Sequence, residues 1–580
     1  MDPTRQMVLF AGDLLSEYQE ELKASRKEQL WSRLWAKDAT LWPCDDAGAS
    51  HLKANLEFLD IPERLPQFVG GALDADSEMR TQGLTDRIVI AFGSVFHFCK
   101  ALLNLGPDIQ HLKFIILDSC HPSAIRQAEN QADSSKTLVV LVNKSAYRLE
   151  DHALFLYFQK KLQGEVPGSA AGQFVAASDS SSYLASTAAE YHFRYFLELP
   201  SGIAAPYCSV IHLAVLLKVF AGVELEVLRI ACREIKMLNA EQDSVTENPA
   251  CEIAAFLSAS AKKGRPFVCF LAPPALEPFA SALCRLVGGS IGKVESSGVF
   301  PMLNTIPCAT EPWEGVASFV VLRNGGNVEP EVDNCVSLLR SRGVSFVEMT
   351  VGNPLDLLRH TFCWQIATVV AAARLGADPF DLTEPRAART LAAEMLNTLS
   401  PQNETLQRRP RIQERQIQLF AEARARQEIS QLNLPECLVS FFEHRQAASY
   451  FGLFLYLDPT DEVQEYFTAL REQLAQRLKL PVLLAWGPRS LDTFGYLFRE
   501  SAPQGVHLLI DGETEADVKV PGANYSFWQM YQAAAIAHFE ALSAGGNLAL
   551  RLHLASPLSE ALAQLEKTVS HALRRALGLR

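Results

Sequence analysis

The sequence predicts an α/β protein with two doubly wound parallel-sheet domains, followed by a C-terminal α/β region. Short runs rich in β-branched residues alternate with longer helical stretches, once before residue 225 and again between residues 226 and 400. A third set of strand-like and helical segments lies beyond residue 430. Strands that alternate with helices in this way form parallel βαβ units, with right-handed crossovers and helices on both faces of the sheet.

The first parallel set follows a helical N-terminal segment, residues 1–80. Charged and apolar residues alternate at helical spacing from Gln6 to Leu34, which predicts one or two helices there. The first α/β domain is expected over residues 81–225. Its predicted buried strands are Arg87 to Phe92, Phe114 to Leu117 and Thr137 to Val142.

The second domain, residues 226–400, repeats the pattern. Its predicted strands are Pro266 to Leu271, Val316 to Leu322 and Val344 to Met349, with helices such as Glu277 to Val287 and Val332 to Arg342. Residues 401–430 begin with a stretch rich in Gln, Arg, Pro and Asn and are expected to form a linker or an exposed helix. In the C-terminal region, residues 431–580, the predicted elements are the strands Val482 to Trp486, Val506 to Asp511 and Leu548 to Leu554, and the helices Glu462 to Leu478 and Trp528 to Ser543.

Composition narrows the classes of function. The formal net charge of −13 argues against nucleic acid or an anionic membrane as the main partner. It leaves an anionic substrate open, because one local cluster of cations and backbone N–H groups can hold a phosphate. The twelve cysteines are scattered singly, which is typical of reduced thiols in a cytoplasmic protein. We expect no metal, no cofactor and no membrane span.

Short motifs in a fixed order give the sequence a specific resemblance. They are WAKDATLWP at Trp35–Pro43, LDS at Leu117–Ser119, NKSAYRLE at Asn143–Glu150, FCWQIAT at Phe362–Thr368, DPFD at Asp378–Asp381, WGPR at Trp486–Arg489 and VPGANYSF at Val520–Phe527. In order and spacing they resemble the phosphoglucose isomerase family, in particular the isomerase half of the bacterial fused transaldolase/phosphoglucose isomerase proteins. The resemblance implies two sugar-isomerase (SIS-type) domains, a sugar-phosphate ligand and a homodimer.

The resemblance places the substrate phosphate at Asn143–Glu150, where the family has SKSGGTLE. Lys144 and Ser145 match the family, and Arg148 replaces its threonine with a side chain that can pair with a phosphate bidentately. Lys144, Ser145 and Arg148 are therefore the predicted phosphate-binding residues. The alternative interpretation is that Lys144 and Arg148 are only solvated loop charges.

The acid–base residues of the family are not retained at their positions. The glutamate base of the family's ESTGK stretch corresponds to Gly289, and a glycine cannot abstract a proton. Candidates for a relocated base are Glu150 and Glu295. The resemblance further implies that Gly289, Ser290, Lys293, Arg389, Asp492 and Arg499 belong to the cleft, without the titratable lysine and histidine that the family has there.

Three functions remain open from the sequence. The first is a sugar-phosphate-binding or regulatory homologue with degenerate acid–base residues, which could associate with an active relative. The second is an active glucose 6-phosphate/fructose 6-phosphate isomerase that uses a relocated carboxylate. The third is a scaffold protein whose cleft is filled by Phe96, Phe98 and Tyr147. A fold by itself does not decide among them.

Overall fold

The structure is a computed structural model of the chain. It describes residues 7–106, 112–144, 147–166, 170–221, 223–239, 248–292, 298–305, 313, 315–325, 327–381, 386–399, 406, 409–431, 433–488, 504–544 and 547–578. Within these ranges, no helix is both long enough and apolar enough to cross a bilayer.

The chain forms two compact units. The first unit contains Met1–Asp118, Asn130–Thr310 and Glu314–Leu382. The second unit contains Ser119–Glu129, Glu311–Trp313 and Thr383–Arg580. The domain boundaries predicted at residues 80, 225 and 400 stay predictions.

The elements up to residue 262 alternate between strands and helices after an initial helical stretch. They are β1 (Met7–Phe10), α1 (Leu15–Lys27), α2 (Leu30–Trp35), α3 (Asp46–Leu56), α4 (Ile61–Thr81), β2 (Asp86–Ala91), α5 (Ser94–Leu105), β3 (Lys113–Leu117), α6 (Pro122–Gln131), β4 (Thr137–Val142), α7 (Leu149–Glu165), β5 (Phe174–Ser178), α8 (Tyr183–Glu190), β6 (Tyr195–Glu198), α9 (Ser209–Ala221), α10 (Leu225–Asn239) and α11 (Pro249–Lys262).

The remaining elements continue the alternation to the C-terminus. They are β7 (Phe267–Ala272), α12 (Glu277–Ile291), β8 (Phe300–Thr305), β9 (Ala317–Asn324), α13 (Pro330–Ser341), β10 (Phe346–Val351), α14 (Pro354–Leu375), α15 (Arg386–Asn397), β11 (Ile412–Glu414), β12 (Ile417–Ala421), α16 (Ala423–Glu428), α17 (Leu434–Glu443), β13 (Tyr450–Tyr456), α18 (Asp461–Leu478), β14 (Val482–Trp486), β15 (Gly505–Gly512), α19 (Phe527–Ala544), β16 (Leu548–Leu554) and α20 (Leu558–Ala576).

The first unit contains two five-stranded sheets. In the first sheet the strand order is β3-β2-β4-β5-β6, and every pair is parallel. In the second sheet the order is β1-β10-β9-β7-β8, parallel except for β1, which pairs antiparallel with β10. One continuous apolar core includes residues of both sheets and of the helices around them. Helices α5 and α9 pack against each other, and α9 also packs on α4 and α14.

The second unit is built on a six-stranded sheet with the order β11-β12-β16-β15-β13-β14. Strands β16, β15, β13 and β14 are parallel, and β12 and β11 extend the sheet beyond β16 as antiparallel strands. A separate apolar core lies in this unit. The predicted α/β fold class, with two doubly wound parallel sheets and a C-terminal α/β region, is therefore confirmed.

Two segments differ from the elements that the sequence predicts. Residues 401–430, expected to be a linker or an exposed helix, contain the hairpin strands β11 and β12 next to the short helix α16. The N-terminal segment, expected to be helical, begins with β1, whose Phe10 packs on Phe346 of β10 with ring centroids 5.3 Å apart. Strands β1 (MVLF) and β12 (IQLFA) are short, mainly apolar runs, and tertiary pairing decides whether such runs form strands or helices.

Candidate functional site

The connectivity of the first sheet creates a crevice at the carboxyl ends of its central strands. From β2 the chain passes to β3 on one side, while β4 lies on the other side of β2. In open parallel sheets, ligands bind at such a switch point, outside the carboxyl ends of the strands. The two loops that leave this point are Phe92-Gly93, before α5, and Asn143–Arg148, before α7. Gly93 adopts a φ of +70°, which permits the sharp turn into α5.

The loop after β4 is anchored at its base. The backbone N–H of Asn143 donates to the carbonyl oxygen of Ala177 on β5, at 3.1 Å. The Lys144 ammonium pairs with the Asp179 carboxylate, which follows β5, and only 4% of the Lys144 side chain is exposed. Lys144 is therefore an almost buried cation with a carboxylate partner, and a phosphate would have to compete with Asp179 for it.

A buried carboxyl group lies directly beneath this loop. Asp151, in the first turn of α7, is 2% exposed and accepts a hydrogen bond from the Asn143 side-chain amide. Burial raises the pKa of Asp151 to about 7, and the nearby Arg148 guanidinium opposes part of that increase. Burial, together with the neighbouring Asp151 charge, also raises the pKa of Tyr183. A carboxyl group with this pKa can exchange a proton at neutral pH.

Arg148 and Tyr147 lie on the outer side of the same loop. Arg148 is half-buried, and its guanidinium lies 5.6 Å from the ring centroid of Phe92 in the facing loop. Tyr147 is 51% exposed, with its ring 4.8 Å from that of Tyr183. Arg148 therefore lies at the edge of the crevice, where it can reach an anion.

The start of α9 lies close to the Lys144–Asp179 pair. Burial raises the pKa of Cys208 to about 12, so the thiol stays protonated. Burial, followed by the Lys144 charge, lowers the pKa of His212 to about 4, so the imidazole is neutral. Both residues are buried, and neither is charged at neutral pH.

Gly289 and Ser290 lie in the last turn of α12, and both are buried. The Ser290 hydroxyl is 2.8 Å from that of Tyr207, which precedes Cys208 at the start of α9. Ser290 is thus linked to the same helix start as the site. Gly289, which the sequence resemblance aligns with a catalytic glutamate, is a buried glycine inside a helix.

The aromatic residues that were considered as a filling of the cleft occupy different environments. Phe98 is 2% exposed and belongs to the core of the first unit. Phe96 is 5% exposed, and Lys100 lies 5.9 Å from its ring centroid. Only Tyr147 of the three is exposed.

The other predicted site residues divide into two groups. Ser145, Lys293, Glu295, Asp492 and Arg499 lie outside the described residues. Arg389 is half-buried on α15 and belongs to the second unit, and Glu150 is half-buried in the first turn of α7. Within the described part of the chain, no group of three or more His, Cys, Asp or Glu side chains is arranged to hold a metal ion.

Asp151 is the residue of this site that the motif comparison missed. The comparison drew attention to Glu150, the last residue of the phosphate-loop motif. The buried stripe of α7 consists of Asp151, Leu154, Phe155, Phe158 and Leu162, which follow helical spacing. An aspartate on an apolar stripe is the signal that would have identified Asp151 as a buried carboxyl. For His212 no such signal exists, because α9 is apolar on nearly every side.

Comparison with known proteins supports the fold assignment and nothing finer. A hypothetical protein from Thermus thermophilus matches with a TM-score of 0.56 and 18% identity, covering 67% of this chain and 99% of the other. A glucose-6-phosphate isomerase from Chlamydia trachomatis matches with a TM-score of 0.50 and 14% identity, covering 67% of this chain and 87% of the other. No family model and no curated protein sequence matches the chain. At these identities the likeness is one of fold.

Proposed function

We propose that the protein binds a phosphorylated sugar at the carboxyl edge of the first sheet and does not isomerise it. The observation that carries the proposal is the contrast between the loop after β4 and the position of Gly289. Two cations, Lys144 and Arg148, lie on the loop at the switch point, whereas the position of the family's base is the buried Gly289. Cations placed to hold a phosphate, together with a glycine at the position that the resemblance aligns with the base, support binding without isomerisation.

The phosphate would lie against the N-terminus of α7. The backbone N–H groups of the first helical turn have no partners within the helix, and the helix dipole favours an anion there. Arg148, the residue before the first turn, would supply a charge-assisted hydrogen bond. Lys144 would contribute through space while it stays paired with Asp179.

A second candidate function is favoured by one observation, the pKa of about 7 of Asp151. Isomerisation requires a carboxylate base with a pKa near the working pH and a cation near the enediolate. Asp151 lies near Arg148, but it is 2% exposed beneath the loop. An active isomerase would therefore require the loop to open and expose Asp151, or would use Glu150 or Glu295 instead.

Ligand binding tests the proposal directly. Glucose 6-phosphate or fructose 6-phosphate at about a hundred times Kd should stabilise the protein by about 2.7 kcal/mol, seen as a rise in Tm. The variant Arg148→Met should lose most of this rise. The matched control Arg424→Met removes an exposed arginine of α16 and should keep it. Absence of any rise with either sugar phosphate, and with the free phosphate ion, would favour the scaffold hypothesis instead.

A coupled isomerase assay separates binding from catalysis. The proposal expects no turnover by the purified wild-type protein. Turnover that is retained by Glu150→Gln and abolished by Asp151→Asn would contradict the proposal and identify Asp151 as the base. Turnover lost in Glu150→Gln or Glu295→Gln would assign the base to that residue.

The family resemblance also supports an assembly, either a homodimer or a complex with an active relative. Sedimentation of the purified protein distinguishes monomer from dimer. Co-purification with an active phosphoglucose isomerase tests the regulatory form of the proposal.

A further inference from the structure

A cavity of about 390 Å³ lies inside the first unit, between the first sheet and the helices α4 and α9. Its walls are mainly apolar and include Val140, Val142 and Val175 from the sheet and Val215 and Leu216 from α9. Pockets that hold small molecules in proteins begin at about 300 Å³. Nothing in the proposed phosphosugar site uses these side chains.

The exposed fractions along β4 show that the cavity interrupts a core layer. Val139 is 0% exposed and Leu141 is 1% exposed. The alternate residues Val140 and Val142 are only half-buried. Strand β4 has β2 and β5 on its two sides, and the faces of a parallel sheet are normally covered. Since alternate side chains point to opposite faces, Val140 and Val142 are exposed to the cavity. The cavity is partly open, so a molecule that fills it would cover apolar surface of its walls and stabilise the fold.

One polar side chain of the wall is left without a partner. His212 is 6% exposed, lines the cavity, and has no hydrogen-bond partner for either ring nitrogen among the described residues. Its neutral imidazole offers one N–H donor and one acceptor. Burial, followed by the charge of Lys144, which is paired with Asp179, lowers the pKa of His212 and keeps its imidazole neutral. Leaving a buried polar group unsatisfied costs free energy that a ligand atom would recover.

The opposite end of the cavity is already occupied by an ion pair. Arg87, in β2, pairs with Asp76 of α4 at 3.3 Å and donates to the Leu84 carbonyl oxygen. Asp76 also accepts a hydrogen bond from Arg80 at 2.6 Å. A ligand carboxylate placed here would face the Asp76 carboxylate, whereas at His212 it would face a donor and a nearby cation.

We propose that this cavity binds a single apolar chain that ends in a carboxylate, a medium-chain fatty acid, with the carboxylate at His212 and the chain directed toward Arg87. The wall residues of β4 run from Leu138 to Val142. Four residues of strand span about 13 Å, which an extended chain of about ten carbon atoms matches. The cavity lining shares no side chain with Lys144 or Arg148, although Lys144 lies near His212, and this proposal does not rest on the proposed function.

Decanoate is the probe that tests the proposal. Titration of the full-length protein with sodium decanoate should raise its Tm and give one bound molecule per chain by calorimetry. Replacing His212 by Leu removes an unpartnered polar group, so the unliganded variant should be at least as stable as the wild type. The same His212→Leu variant should bind decanoate at least about tenfold more weakly, and His212→Gln, which keeps a donor, should recover part of the affinity. Equal affinity of wild type and His212→Leu, or no binding at all, overturns the proposal.

Filling the cavity is the second test. Val175→Phe places a ring into the void, so the unliganded variant should be as stable as the wild type or more so, and it should no longer bind decanoate. A strongly destabilised Val175→Phe protein would mean that no void exists at that position, and retained binding would place decanoate elsewhere; either result overturns the proposal. Methyl decanoate, which lacks the charge, should bind more weakly, and equal binding would exclude the carboxylate at His212. Binding of glucose 6-phosphate should be unchanged in Val175→Phe, which separates this test from that of the proposed function.

Discussion

The two parallel sheets of the first unit have the same topology but differ in how their central strands are covered. In each, the first strand is central, the second lies on one side, and the third and fourth follow on the other: β2, β3, β4 and β5 in the first sheet, and β7, β8, β9 and β10 in the second. A fifth strand completes each sheet, parallel in the first and antiparallel in the second.

The difference lies in the size of the side chains that meet over the central strands. The fourth residue of β7 is Phe270, 0% exposed, and its ring lies 5.4 Å from that of Trp364 on α14. The fourth residue of β2 is Val89, and it faces the cavity together with Val215 of α9. Where two aromatic rings fill the second layer, small β-branched side chains leave space in the first. The same strand topology can therefore form either a closed core or a cavity, depending on the volumes of a few side chains.

The first prediction concerns the closely packed side chains over the second sheet. Phe270→Ala should lower the free energy of unfolding by about 4 kcal/mol, since it removes a fully buried ring from a packed core. Phe114→Ala is the matched control, because Phe114 is half-buried and faces the cavity. Its cost should stay below about 2 kcal/mol. Urea denaturation measures both, and equal costs would mean that the two layers are packed alike.

The carboxyl edges of the two sheets also differ. Each has a buried carboxyl group, and the two groups differ in the number of hydrogen bonds that they accept. Asp356, 0% exposed at the start of α14, accepts hydrogen bonds from the backbone N–H groups of Gly352 and Asn353 and from the Arg359 guanidinium. Asp151 at the first sheet accepts one from the Asn143 side chain. The carboxylate at the second sheet is therefore satisfied by several donors, whereas the carboxyl group at the first sheet is buried with fewer of them.

The second prediction uses this contrast and depends on pH. The pKa of Asp151 is raised to about 7 in the folded protein, so its stabilising contribution is complete below the unfolded value of about 3.9 and is lost as the pH rises through 7. Asp151→Asn should therefore stabilise the protein by about 3 kcal/mol at pH 8 and change it little at pH 4. Asp356→Asn should instead destabilise it by about 2 kcal/mol at pH 8. Chemical denaturation at the two pH values checks both signs, and a destabilising Asp151→Asn at pH 8 would show that the pKa of Asp151 is not raised in the folded protein.

The fold could be predicted from the sequence where strands are long and apolar. Thr137–Val142, Val482–Trp486 and Leu548–Leu554 begin and end where the sequence indicates. Two of the strands that were not predicted lack that signal: three of the five residues of β5 are alanine or serine (FVAAS), and β6 has only four residues. Such segments form strands because their backbone groups hydrogen-bond to a neighbouring strand, and the local sequence does not indicate that pairing.

The site could be predicted in part, through residues that carry a motif. The motif predicts Lys144 and Arg148 as phosphate-binding residues, and that role stays a prediction. The pairing of Lys144 with Asp179 joins residues from two different loops, so the motif does not indicate it. The raised pKa of Asp151 arises from burial, and burial depends on how α7 packs on the sheet. Ion pairs and pKa shifts that depend on packing therefore cannot be predicted from the sequence motif alone.

The third prediction concerns the ion pair at the first sheet's edge. Asp179→Asn should cost about 2 kcal/mol, because it leaves the 4%-exposed Lys144 side chain without its carboxylate while Asp179 itself is 21% exposed. The control Glu165→Gln breaks the exposed Lys161–Glu165 pair of α7 and should cost less than about 0.5 kcal/mol. If the phosphosugar site is as proposed, inorganic phosphate should restore more stability to Asp179→Asn than to the wild type, since the released Lys144 would gain an anionic partner. An Asp179→Asn protein as stable as Glu165→Gln would show that Lys144 reaches solvent.

The smallest expected effect concerns a polar contact in the layer that is closed. Ser290→Ala should cost about 1.5 kcal/mol, because the Tyr207 hydroxyl, 2.8 Å away and fully buried, would lose its partner. Ser258→Ala, in the equally buried helix α11, is the control: its hydroxyl donates to the Ala254 carbonyl oxygen of the same helix, so its loss should cost about 0.5 kcal/mol or less. Tm differences between the two variants measure the effect. Equal Tm values of the two variants would mean that the Tyr207 hydroxyl finds another hydrogen-bond partner. The buried polar groups around α12 would then be no better paired than His212 beside the cavity.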